Sequence, residues 1–268
     1  MRIVVCAKEV LDPDAVNNYA LEGKLVIGED GRTLTQAAIP RLMNAYDEQA
    51  IEAALRVRDA GVTCKVTIVS IGPEPTALLR HAAAMGADEI VAISADVSDL
   101  DCQAVAALLA AYVRHSGGAD LILCGRQASD DDQGVVPAVM GELLGMPVVP
   151  IARAVVVAPG GDLRVTRVTP DGDEIVEVRC PAVVTISSEI GQARYPTTAR
   201  KMAVRRMQPT AIPVEALPVA AEDRVPRVRM VRQFVPTVQG QCDVIAGATA
   251  AEAATRLVAR LRADGVLA

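Results

Sequence analysis

Short apolar runs rich in β-branched residues recur along the chain. Arg2 to Ala7, Lys65 to Ser70, Glu89 to Ser94, Leu121 to Cys124 and Ala182 to Ser187 each fill both side-chain parities with apolar residues. That is the pattern of a strand covered on two faces. Helical spacing lies between them. Glu48 to Ala60 places Ile51, Ala54 and Leu55 on one face, with acids in its first turn, arginines in its last and Gly61 as a stop. Thr76 to Met85 ends at Gly86, Asp101 to Arg114 forms a third helix, and Val135 to Leu144 a fourth, closed by Gly145. Strands alternating with helices of this length predict βαβ units joined by right-handed crossovers. The expected fold is α/β: a mainly parallel, doubly wound, Rossmann-like sheet.

Two departures from that rhythm are visible. Leu163 to Val168 and Glu174 to Arg179 flank Pro170-Asp171-Gly172-Asp173, which is hairpin chemistry placed just before the last core strand. From Gly191 to Cys242 there is no strong period, but many prolines and a cluster of arginines. Thr249-Ala250-Ala251-Glu252 then reads as a capping box for a helix carrying Ala253, Leu257, Val258 and Leu261 on one face. The expected division is therefore residues 1–190 as the α/β domain and 191–268 as an arm that needs something to hold.

Composition narrows the function. With 51% apolar and 22% charged residues among 268, the chain has enough hydrophobic content to fold. Aromatics make up 2%, with Phe234 the single phenylalanine, and the formal net charge is −6; both argue against a nucleic-acid surface. His81 and His115 are the only histidines, each in Ala-rich helical sequence without metal-ligand spacing. The six cysteines are scattered with no C-x-x-C pair, which fits a reducing, cytoplasmic compartment. The N-terminus reaches charge too soon for a signal peptide, and the longest helical apolar run, Ala104 to Val113, is about half the ~20 residues of a membrane span.

In an open parallel sheet, ligands bind beyond the carboxyl ends of the strands. Three loops leave such ends here: after Ala7, at Ile71-Gly72-Pro73, and from Gly125 to Gly134. Amides at the start of the following helix suit a phosphate, and carboxylates suit ribose hydroxyls. Neither a P-loop nor a dinucleotide fingerprint is present. The residues themselves lead as far as an adenine-nucleotide-like ligand. A solvated acidic turn, a stand-alone adenine-nucleotide-binding regulator and a hydrolase using Asp130 to Asp132 are the competing readings.

The order Val4-Val5-Cys6-Ala7-Lys8-Glu9-Val10, Met43-Asn44-Ala45-Tyr46-Asp47-Glu48-Gln49, Ile68-Val69-Ser70-Ile71-Gly72-Pro73, Ala84-Met85-Gly86-Ala87-Asp88 and Gly125-Arg126-Gln127-Ala128-Ser129-Asp130-Asp131-Asp132 resembles the beta subunit of electron transfer flavoproteins. So do Arg194-Tyr195-Pro196-Thr197 and the final helix. The resemblance spans essentially the whole chain. It implies a heterodimer whose alpha subunit holds most of an FAD site, while this chain forms a wall of that site and clasps alpha with its arm. Flavin dehydrogenases would be the electron donors, and a quinone oxidoreductase or another acceptor would receive the electrons. No nucleic acid and no membrane insertion are expected.

By the same resemblance a second nucleotide, AMP, sits within this chain. Its site would include Cys6, Asn44, Ala45, Tyr46, Asp47, Ile71 and the loop Gly125, Arg126, Gln127, Ala128, Ser129, Asp130, Asp131, Asp132, Gln133, Gly134, Val135 and Val136. Asp130 is the carboxylate best matched to the family pattern. Val136 stands where AMP-holding members have Thr, a feature of the electron-bifurcating branch that binds a second FAD there. Asp130-Asp131-Asp132 replaces that branch's Asp-Gly-Asp, and Asp101-Cys102-Gln103 lacks its threonines, so AMP is favoured. The segment with Arg194, Tyr195, Thr198, Arg200, Lys201, Arg205 and Arg206 resembles the loop that partner dehydrogenases grip, with Thr198 in place of the usual Leu anchor. No residue is expected to act as a nucleophile.

Overall fold

The structure is a computed structural model and describes residues 1–35, 37–98, 100–235 and 242–267. The elements run β1 (Arg2–Cys6), β2 (Glu9–Leu11), α1 (Pro13–Leu21), β3 (Arg41–Met43), α2 (Ala45–Asp59), β4 (Lys65–Gly72), α3 (Thr76–Met85) and β5 (Glu89–Ser94). Next come α4 (Cys102–His115), β6 (Leu121–Gly125), α5 (Val136–Leu144), β7 (Val148–Val157), β8 (Leu163–Thr169), β9 (Gly172–Val178) and β10 (Ala182–Ile186). Last are α6 (Thr198–Val204), β11 (Thr210–Pro213) and α7 (Ala250–Ala263). Nine strands form one sheet in the order β11-β5-β4-β1-β6-β10-β7-β8-β9. Pairing is parallel from β11 to β7 and antiparallel through β8 and β9.

The chain leaves β1 toward β4 and leaves β6 toward β7, on opposite sides. The switch point therefore lies between β1 and β6, and the carboxyl ends of these two central strands frame a crevice. The buried runs explain why the sheet closes on both faces. Ile3, Val5, Val66, Ile68 and Val184 face α2 and α3; Val4, Val69, Ile122 and Val183 face α4 and α5.

Three elements depart from the expected pattern. Val148–Val157 is a long strand although Pro150 interrupts it: Ile151 takes φ +61, the pairing with β10 shifts at Val184/Ile186, and Ile151 N–H donates to Thr185 Oγ1 at 2.9 Å. A bulge absorbs the proline, and local propensity hides the strand. The pair β2–β3, with α1 between them, forms a separate small antiparallel ribbon. The hairpin turn is tighter than expected, with Thr169 opposite Gly172.

Two compact units are present, 1–233 and 234–268. Residues 191–233, aperiodic in sequence, belong to the first. Glu52 on α2 is nearly fully buried and accepts from Arg194 Nε at 2.7 Å, Arg194 N at 3.1 Å and Arg56 Nε at 2.8 Å. Arg56 donates onward to Ile190 O, and Arg194 reaches Asp59 at 2.7 Å. β11 adds to the edge of the sheet beside β5, where Ile212 is its one half-buried apolar contact among exposed neighbours, too little to register as a strand period. Further on, Asp101 caps α4 through Ala104 N–H and takes Arg227 N–H and Val228 N–H on its second oxygen. In the second unit, Thr249 Oγ1 accepts from Glu252 N–H while Glu252 Oε2 takes the N–H of Ala248, one residue outside the expected box partner. Leu257 and Val258 on α7 are exposed within that unit.

Burial raises the pKa of Glu52, but the bonds from Arg194 and Arg56 outweigh it and leave the carboxyl below its ordinary value of 4.5. Its contribution to stability is thus present above that value and lost as pH falls through the lower, native one. Glu52→Ala should cost about 2–3 kcal/mol, less than a fully buried pair because Arg194 and Arg56 keep a third to a half of their side chains in water. Amide exchange at Ile190 to Arg194 should quicken while β11 stays protected; unchanged exchange in that segment would contradict this account.

Candidate functional site

The crevice is built by α2 and the loop after β6. Asp47, buried in the first turn of α2, accepts from Lys8 N–H at 2.8 Å and from Gly125 N–H at 3.0 Å. One carboxyl group thereby ties together the ends of β1 and β6. Asn44, also buried, donates from Nδ2 to Gln127 O at 2.8 Å and accepts at Oδ1 from Ser129 N–H at 3.3 Å. Gly125 has no room for a side chain: a Cβ there would lie 2.7 Å from Tyr46 Cβ and closer still to the Asp47 carboxylate.

The loop then folds on itself. Arg126 stands over the Tyr46 ring, 5.5 Å from its centre, and donates to Gln127 Oε1. Gln127 Nε2 donates to Asp132 Oδ1 at 2.8 Å, and Asp132 takes a left-handed backbone with φ +52. Gly134, at φ +62, passes so near Arg126 O that a Cβ would be 2.6 Å from it. The chain arrives at α5 with Val135 as N-cap and no side chain capping the helix. Among the described residues, the N–H groups of Val135 and Val136 have no protein acceptor.

Lys8, which none of the sequence arguments singled out as a site residue, lies 2.8 Å from Asp130 and 3.5 Å from Asp131 across the crevice. Its signal was position alone, two residues past the last residue of β1. The three adjacent acids divide, two toward Lys8 and one toward Gln127. Among the described residues no group of three His, Cys, Asp or Glu side chains could hold a metal ion. Cys6 and Cys124 are buried neighbours on β1 and β6; contact with Cys6, followed by burial, pushes the Cys124 thiol up, so this pair behaves as small apolar packing. Ile71 is half-buried against the α4 side of the core, and Ala45 and Gln133 are exposed.

The open amides, and the charged groups at the rim that pair with one another or within the loop, are of a kind that a nucleotide could engage. The uncapped start of α5, Arg126 and Lys8 favour a phosphate, and Asp130 and Asp131 at the rim can accept from ribose hydroxyls. Val136 would offer an anion there a backbone N–H and no hydroxyl. The basic segment lies apart from the crevice, on α6 and the residues on either side of it. There Arg194 is spent on Glu52 and Asp59, and Lys201 donates to Tyr195 OH at 2.7 Å and covers its ring. Thr197 caps α6, and Tyr195, Thr198, Arg200, Arg205 and Arg206 are exposed.

Burial pushes the Asp47 carboxyl up to about 7, although the Lys8 and Gly125 amides and the Lys8 charge pull it down. A native pKa above the ordinary 3.8 means that the protonated form favours folding, so this contribution is full below about 4 and fades as pH rises through about 7. Asp47→Ala should lower stability by about 2–4 kcal/mol, the buried N–H of Gly125 and the part-buried N–H of Lys8 losing their acceptor. Denaturant unfolding across that pH range should also decline less steeply in the variant. Parallel pH profiles would show that Asp47 does not titrate there.

Comparison with known proteins is consistent across the chain. Residues 32–212 match the electron transfer flavoprotein domain. The chain is 31% identical over its full length, and the full length of the relative, to the caffeyl-CoA reductase-Etf complex subunit CarD of Acetobacterium woodii. It is 32% identical to an electron transfer flavoprotein subunit beta of Syntrophomonas wolfei, covering 84% of this chain and 83% of the relative. It is 36% identical to the acryloyl-CoA reductase electron transfer subunit gamma of Anaerotignum propionicum, covering 74% and 72%.

Proposed function

The chain belongs to the electron transfer flavoprotein family, and from that membership we propose that it is the beta subunit of a heterodimer that passes electrons from a dehydrogenase to a downstream acceptor. The observation that carries this reading is the end-to-end similarity, which includes the segment after the sheet that a lone nucleotide-binding regulator has no need of. FAD, held mainly by the alpha subunit, supplies one- or two-electron transfer. This chain completes the wall of that site and holds alpha with residues 191–268, to which the exposed face of α7 contributes.

The crevice is assigned to AMP. Val135 and Val136 N–H, Arg126 and Lys8 would hold its phosphate and Asp130 a ribose hydroxyl, with Asn44 and Asp47 fixing the loop from behind. A second reading, FAD in the same crevice, is favoured by Val136, which gives the phosphate no side-chain hydroxyl. Co-expression with an alpha subunit, followed by counting nucleotides released from the purified complex, separates them. One FAD and one AMP per heterodimer is expected; two FAD and no AMP establishes the second reading. A colourless chain that binds no partner overturns both.

Redox partners are assigned to the exposed face of α6 and its flanking residues, with Tyr195 and Thr198 at the contact and Arg200, Lys201, Arg205 and Arg206 as surrounding charge. A weak apolar anchor leaves more of the encounter to electrostatics, which salt screens. Charge reversal in Arg200→Glu/Lys201→Glu should slow partner reduction at low salt by about tenfold and flatten its salt dependence, with flavin content unchanged. Stopped-flow rates that keep their salt slope would refute the assignment.

A further inference from the structure

On the α2 and α3 side of the sheet, apart from the crevice, a cleft of about 200 Å³ opens between α3 and α6, lined by Arg80, His81, Ala84, Lys201, Val204 and Arg205. Ala84 and Val204 are small, so the floor is apolar and the rim cationic. Arg80 is fixed by Nε donating to Met207 O at 2.7 Å, which leaves both Nη groups available. Lys201 gives one hydrogen to Tyr195 OH, and Arg205 is exposed. Among the described residues none of these three cations has an ion pair. Glu48 reaches the rim but is taken by His81 Nε2 at 2.8 Å, leaving Nδ1 of that ring. Beyond the cleft, the Arg200 and Arg58 guanidinium groups converge on Gly86, each 3.0 Å from where a Cβ would sit.

Three permanent like charges around one small cavity repel one another in a chain that is acidic as a whole. We propose that this cleft binds a phosphate or pyrophosphate group, with Arg80, Lys201 and Arg205 as charged donors and His81 at its edge. A single carboxylate offers one charge and two acceptor oxygens, too few for this donor set. A phosphate dianion or a diphosphate matches both the charge and the guanidinium forks. The site shares no residue with the crevice; it shares Lys201 and Arg205 with the face assigned to redox partners, but its ligand binding stands whether or not the electron-transfer reading holds.

The chain's two histidines make the test local. The chain, labelled with ¹⁵N-histidine and purified with whatever subunit it retains, gives separate imidazole signals for His81 and His115, assigned with His115→Gln. Pyrophosphate added at constant ionic strength should shift His81 saturably and leave His115 still. Arg80→Gln/Lys201→Gln should weaken the apparent affinity by about tenfold or more. Arg205→Gln, at an exposed residue whose side chain makes no hydrogen bond among the described residues, gives the same direction if the double variant folds poorly. An AMP titration distinguishes the source: a His81 response extends the site to phosphate esters, and none restricts it to free oxyanions. The proposal falls if sodium chloride alone reproduces the shift, if the variants titrate like the parent chain, or if a hexaglutamate peptide shifts His81 and pyrophosphate does not.

Discussion

The carboxyl group of Asp47, shared between the backbone amides of Lys8 and Gly125, is the contact on which the rest of the crevice depends. At a switch point two adjacent parallel strands send their chains in opposite directions, so their last amides lose the neighbours that would continue the ladder. The buried Gly125 N–H left unpaired would cost about 1–3 kcal/mol, and the part-buried Lys8 N–H less. Placing the acceptor in the first turn of α2 satisfies both and fixes where that helix begins relative to β1 and β6. Gly125 follows from this, since the carboxylate occupies the space a side chain would need. Burial makes the arrangement sensitive to protonation, because a charged Asp47 is less favoured among its apolar surroundings than a neutral one.

The same helix organises the far side of the molecule. Glu52, little more than a turn further along, collects Arg56 and Arg194 and so sets the path of the chain after β10. One helix thus carries two acceptors with different electrostatics. Asp47 receives backbone N–H groups in a dry site and is pushed up, whereas Glu52 receives two guanidinium groups and is held down. Because Arg194 is consumed there, the basic character of the following segment rests on the residues of α6, where cations outnumber acids.

The parallel core was legible because its evidence is redundant. Runs such as Ile3-Val4-Val5 and Ile90-Val91-Ala92-Ile93 are buried on both faces, and Gly86 and Gly145 stop their helices at positive φ. What escaped has little local signal. Pro150 sits inside a ten-residue strand and is tolerated only because Ile151 adopts a strained backbone, a tertiary compromise that propensity cannot foretell. Thr210–Pro213 becomes a strand because the edge of β5 is there to pair with it. Arg194 reads as surface charge until Glu52, far away in sequence, is brought beside it.

The candidate site was legible as a neighbourhood more than as a set of roles. Asn44 and Asp47 stand among the polar residues of the expected site, yet both are buried and already bonded to backbone, Asn44 to Gln127 and Ser129 of the loop and Asp47 to Lys8 and Gly125. The groups left facing the crevice are those with the weakest sequence signal: a lysine just past a strand and the amides of two valines. The reason is general. A polar side chain strong enough to stand out in sequence is also strong enough to be used in closing the loop, and a ligand that makes its bonds to backbone amides leaves almost no residue preference behind. Val136 fits that proposal, because a position that gives its N–H can do so with any side chain. If the proposed nucleotide occupies the crevice, its identity turns on the shape and charge around the amides, where Lys8 and Arg126 are the groups to compare between members of the family.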